Sequence, residues 1–118
     1  MESGTADVRH QLALLCRRRR KGCRIVERRR KWTPGTVIDP ADGQPFTDEG
    51  AWEFIAECLD DKAIELFPVP LEDYPGKTGY YMVVDLGGRD LYMKVRLGTG
   101  SVIGMSFHYS DNAKGYGQ

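Results

Sequence analysis

Between Leu91 and Ser110 apolar and polar residues alternate with period two, the signature of strands with one buried face. Leu91, Met93, Val95 and Leu97 form one row, and Tyr92, Lys94 and Arg96 form the other. After Gly98-Thr99-Gly100 the alternation resumes, with Ile103, Met105, Phe107 and Tyr109 in one row and Val102, Gly104, Ser106 and His108 in the other. A hairpin closed by residues Gly98 to Gly100 sets Leu97 opposite Ser101, Val95 opposite Ile103, Met93 opposite Met105 and Leu91 opposite Phe107. Slipping by one residue places Val95 against Gly104 and Met93 against Ser106, which moves an apolar set to the wrong face. The first register is therefore the one expected.

Upstream, Tyr80 to Leu86 alternates in the same way, and Gly87-Gly88 starts a turn. A loop of two residues or of four (Gly87 to Asp90) keeps the phase, and both put Tyr81 on the face of Lys94. Ala51, Trp52, Ile55, Cys58 and Leu59 have helical spacing behind a Thr47 N-cap, which predicts a helix over 48–59. Val8, Leu12 and Leu15 predict another over 7–21, stopped at Gly22, after a disordered Met1 to Ala6. Cys23 and Ile25 suggest a short extended piece, Lys31 to Pro45 a long connection, and Ala63 to Phe67 a short strand ended by Pro68 and Pro70. The expected fold is α+β, with an N-terminal helix and a second helix packed on a three- to four-stranded antiparallel meander. Residues 1–45 are a basic N-terminal helix and linker, and 46–118 the helix-plus-sheet core.

At 118 residues the chain has the length of one domain, and no apolar run is long enough to span a membrane. Met1 to Asp7 lacks the features of a secretory signal, which points to the cytoplasm, and the three cysteines read as reduced thiols. The net charge of zero conceals a split. Met1 to Trp32 holds eleven Lys and Arg against three acids, and the rest six against fourteen. Such a basic head suits a polyanion such as RNA, with Arg28, Arg29 and Arg30 as candidate backbone contacts. Equally, it suits a segment that folds against the acids of its own body.

Three tempting motifs fail. Gly76-Lys77-Thr78 lacks the leading glycine of a phosphate loop, because Leu71 stands there. Gly98, Gly100 and Gly104 have the wrong spacing for a dinucleotide fingerprint, and His10 and His108 lack companions for a zinc site. The polar row of the hairpin is more informative: Tyr81, Tyr92, Lys94, Arg96, Ser106 and His108 gather with only Asp85 near the edge. RNA cleavage without metal or cofactor needs a proton acceptor for the 2′-hydroxyl, a donor for the leaving oxygen, and cations for the charged transition state. His108 suits proton transfer, Lys94 and Arg96 supply charge, and Tyr81 and Tyr92 can stack a base or pass a proton. The competing view is a solvated sheet face with a structural His108.

Tyr92-Met93-Lys94 followed by Ser106-Phe107-His108 resembles the closing hairpin of the MqsR-type mRNA interferase toxins, within the broader RelE/ParE-like superfamily. The helix-then-meander order from Phe46 to Ser110 is similar to that superfamily's core. The resemblance implies a metal-independent endoribonuclease that cleaves mRNA and is held inactive by a cognate antitoxin. It places Tyr92 and Lys94 in a Tyr-x-Lys element and Ser106 and Phe107 in the final strand, where His108 stands in place of the usual lysine. From the residues alone, a rival function is a non-catalytic nucleic-acid-binding module that uses Arg17 to Arg30. A third is a protein partner whose basic head docks an acidic protein.

Overall fold

The helices form where the apolar spacing predicts them, and the differences lie at their ends. In the computed structural model, which describes residues 3–18, 24–26, 32–71, 75–98 and 101–110, helix α1 spans Ser3–Arg18. Its backbone is helical from Ser3, where disorder to Ala6 was expected. Extending an existing helix adds one hydrogen bond for each residue fixed, so the extra turn costs little. The expected stop at Gly22 lies outside the described residues, as do Cys23 and Arg28, Arg29 and Arg30. A short strand β1 (Arg24–Val26) follows.

The expected long connection is instead structured. A single 3-10 turn at Pro34–Thr36 leads into a small antiparallel pair, β2 (Ile38–Asp39) and β3 (Gln44–Pro45). Asp39 organises its turn: its Oδ1 accepts from Ala41 N–H, its carbonyl accepts from Gly43 N–H, and Gly43 takes φ 73°. Helix α2 (Asp48–Asp60) begins as predicted, with Thr47 Oγ1 accepting from Gly50 N–H at 2.9 Å and Asp48 and Glu49 in the first turn.

The main sheet contains β4 (Phe67–Pro70), β5 (Thr78–Leu86), β6 (Arg89–Leu97) and β7 (Val102–Tyr109), all antiparallel, with β1 added parallel to β7. The order β1-β7-β6-β5-β4 makes this an α+β fold with a meander at its centre. Between β5 and β6 the loop is the two-residue one, with Gly87 and Gly88 at φ 67° and 93°. Both angles favour glycine, and this turn matches the twist of its strands. The segment expected to end at Phe67 begins there. Pro68 and Pro70 sit inside β4, which lies at the edge of the sheet, where a missing N–H is tolerated.

One expectation fails in an instructive way. Leu97 faces Val102, Val95 faces Gly104, Lys94 faces Ser106, Met93 faces Phe107, Tyr92 faces His108 and Leu91 faces Tyr109. The register shifts by one residue between Lys94 and Val95, so Met105 is an extra residue in β7. This bulge lets both halves of β7 present their best residues inward, Val102 and Gly104 before it and Phe107 after it. Ile103 therefore leaves the apolar row and faces Arg96. Gly104 points inward because the Trp32 ring occupies the space beside it: a Cβ there would lie 2.6 Å from Trp32 Cζ3.

Both helices contribute to one hydrophobic core. Leu12 and Cys16 of α1 and Trp52, Ile55 and Leu59 of α2 are buried with Met82, Leu91, Met93, Val95 and Phe107 of the sheet. Trp32 joins them, 4.9 Å from Trp52 and 5.8 Å from Phe107 between ring centroids. Arg9 secures α1 to the end of α2 by donating to the carbonyls of Leu59 (2.9 Å), Cys58 (3.1 Å) and Asp61 (2.8 Å). Leu59 O is one of the acceptors that a helix C-terminus leaves behind, while Cys58 O and Asp61 O also accept from the Asp61 and Ile64 N–H groups. Arg17 pairs with Asp60 at 2.6 Å. This part of the basic head thus folds against the body's own acceptors. Among the described residues no helix is long and apolar enough to cross a membrane.

Candidate nucleic-acid interface

With one face of the sheet packed on the helices, alternation sends every second residue of β4 to β6 to the opposite, outer face. There the strands line up in rows. One row runs Phe67, Tyr81, Lys94, Ser106, and the next runs Val83, Tyr92, His108. A third carries Val69, Gly79, Arg96 and Ile103. Tyr81, Tyr92, Lys94, Arg96, Ser106 and His108 thus share one face. The bulge makes this possible, because it returns Ser106 and His108 to the side of Lys94 and Tyr92 after Val102 and Gly104 have pointed the other way.

Four rings cross the outer face as a continuous ladder, one from each antiparallel strand. Phe67 stacks on Tyr81 at 5.1 Å with 24° between planes. Tyr81 lies 5.4 Å from Tyr92, its diagonal neighbour, and Tyr92 lies 5.7 Å from His108. Phe67 and Val83 are 36 % and 41 % exposed, high values for apolar side chains. Phe67 is the member that the sequence reading missed. Its signal was available: Phe67 and Val69 alternate with two prolines, the pattern of a strand at a sheet rim.

Lys94 stands in the middle of the ladder, opposite Tyr81 and Ser106. Its stem crosses toward β5, where a Cβ on Gly79 would lie 3.5 Å from Lys94 Cε and 2.8 Å from Leu71 Cδ2. Glycine at that position makes room for Leu71, while Lys94 lies beside it at ordinary contact distance. Asp85 and Asp90 face each other at the Gly87-Gly88 end, where Asp85 accepts from Gly88 N–H at 2.9 Å.

The acid–base assignments change in detail. Burial, with a smaller contribution from Tyr81, holds the Tyr92 phenol above the ordinary tyrosine range. Tyr92 therefore donates hydrogen bonds at neutral pH and does not accept a proton. His108 Nδ1 lies 2.8 Å from the Tyr109 carbonyl oxygen, and because that oxygen only accepts, Nδ1 carries the hydrogen. Its Nε2 is shielded from solvent and has no hydrogen-bond partner among the described residues. Ser106, only 4 % exposed, lies beneath the surface rather than on it.

The arrangement is well suited to stacking flat rings beside a cation. For proton transfer it is less direct, since Nε2 has to be uncovered first. The chain matches no protein-family model, no curated protein and no solved structure.

Proposed function

We propose that this protein binds single-stranded RNA across the outer face of its sheet. The observation that carries the reading is the aromatic ladder from Phe67 to His108 with Lys94 set into it. Partly exposed rings offer an unpaired base a stacking surface, and a lysine within the same track neutralises a phosphate. Titration of a labelled RNA oligomer tests this. Tyr81→Ala is expected to weaken binding about 5- to 150-fold, the worth of one base–aromatic stack. Lys94→Ala is expected to flatten the log-affinity against log-salt slope by about 0.7. Unchanged affinity in both variants overturns the reading.

A second, sharper reading is that the protein is an mRNA-cleaving toxin of a bacterial toxin–antitoxin pair, acting in the cytoplasm and restrained by a protein antitoxin. What favours it is the pairing of the residues that carry the MqsR-type resemblance: Tyr92 directly faces His108, and Lys94 directly faces Ser106. In this reading RNA displaces whatever shields His108 Nε2, which takes the proton of the ribose 2′-hydroxyl as that oxygen attacks phosphorus. The 5′-oxygen leaves with a proton from Tyr92 or water, and Lys94 and Arg96 stabilise the phosphorane charge. His108→Ala and Lys94→Ala are each expected to abolish growth arrest on expression while the fold persists. If both remain fully toxic, cleavage by these residues is excluded and the binding reading stands alone.

A further inference from the structure

The ladder does not stop at the strand edge. Phe67, its last ring, has Tyr81 stacked on one side. It also forms a wall of a cavity of about 430 Å³ that lies beyond β4. The other walls are Arg9, Lys62, Ile64, Glu65 and Pro68. That volume falls within the range of small-ligand sites. Its chemistry is mixed in the way a nucleotide requires: an aromatic ring and a proline for a flat base, an aliphatic wall at Ile64, and a lysine for a phosphate. Arg9 spends its Nε and Nη2 donors on the carbonyls at the end of α2, so it holds the wall in place, and Lys62 is a second cation that can meet a ligand.

We infer that this cavity is a terminal nucleotide subsite, in which the base at one end of a bound RNA strand stacks on Phe67 and its phosphate lies against Lys62. The inference rests on the RNA-binding reading above and adds an end point to it. A strand tracking the ladder from His108 crosses three inter-strand steps of about 4.8 Å before it reaches Phe67. It then turns over the rim into the cavity. The strand is thereby held at a site remote from His108, so one end of the RNA is fixed relative to the middle of the sheet.

Photo-crosslinking tests this on the whole protein, with 5-iodouridine placed at one position at a time along an oligouridylate of about ten nucleotides. A terminal position is expected to crosslink to the peptide that contains residues 62–68, and internal positions to those that contain Tyr81 and Tyr92. Phe67→Leu, which keeps apolar bulk but removes the ring, and Lys62→Glu are each expected to weaken binding at least about 5-fold. Both positions are exposed, so the fold persists. Crosslinks at Tyr81 and Tyr92 alone, with Lys62→Glu binding as tightly as the parent, overturn the subsite and leave the ladder standing. No crosslink at any position and no measurable affinity overturn both.

Discussion

The two faces of the sheet are built from alternate residues of the same strands and have opposite economies. The inner face places Met82, Leu91, Met93, Val95 and Phe107 against two helices and Trp32, and all five are almost wholly hidden. The outer face arranges rings that touch their neighbours across strands yet keep Phe67 and Val83 more than a third exposed. A protein seeking stability alone would have little reason to leave so much apolar surface open on one side. The contrast separates residues that hold the fold from residues that are available to a partner.

Substitutions can break that contrast, and the inner face should give the largest effect. Phe107 contacts Trp32, Phe46 and Phe54, and Phe107→Ala is expected to cost about 3–5 kcal/mol in urea unfolding. Gly104→Ala forces a methyl group into the Trp32 ring and is expected to cost about 1–3 kcal/mol. A smaller effect comes with alkaline pH. Burial, with Glu57 and Asp61 adding, pushes the Cys58 thiol from 9.0 up to about 12. Its contribution is therefore full below pH 9, where the unfolded thiol is still protonated, and is lost as pH rises towards 12. The decline is expected at up to about 1.4 kcal/mol per pH unit, and Cys58→Ala should flatten it in unfolding curves taken between those limits. The smallest effect belongs to the outer face. Tyr81→Ala is expected to change stability by about 1 kcal/mol or less, in line with cross-strand pairs, despite the large loss of RNA affinity expected of it under the proposed function. A loss as large as that of Phe107→Ala would erase the distinction between the faces.

Much of this architecture was legible in the residues. The stripe from Ala51 to Leu59 and the Thr47 cap located α2 because helical period and capping are local properties. The alternation from Tyr80 to Leu97 located β5 and β6, and it placed Tyr81 beside Lys94. What escaped depends on contacts distant in sequence. Strict alternation has no place for Met105, which is buried but left without a partner in the ladder because Gly104 has to meet Trp32 and Phe107 has to meet the helices. Trp32 itself lies in a stretch of turn residues without periodicity, and its role appears only once β7 is beside it. Four of the six outer-face residues could be grouped from period two along β5 and β6 alone. Ser106 and His108 reached that face through a bulge, so the grouping was right while the pairing behind it was not.

The two prolines of β4 have an effect that reaches past this molecule. Since neither can donate, the bonds to β5 fall to Phe67 and Val69, and the free side of the strand presents imino rings where a docking chain would look for N–H groups. That border is closed to strand addition, so copies of the protein cannot propagate a shared sheet through it, even with an adhesive aromatic surface a few ångströms away. An open aromatic face and a rim that resists pairing are reconciled in four residues.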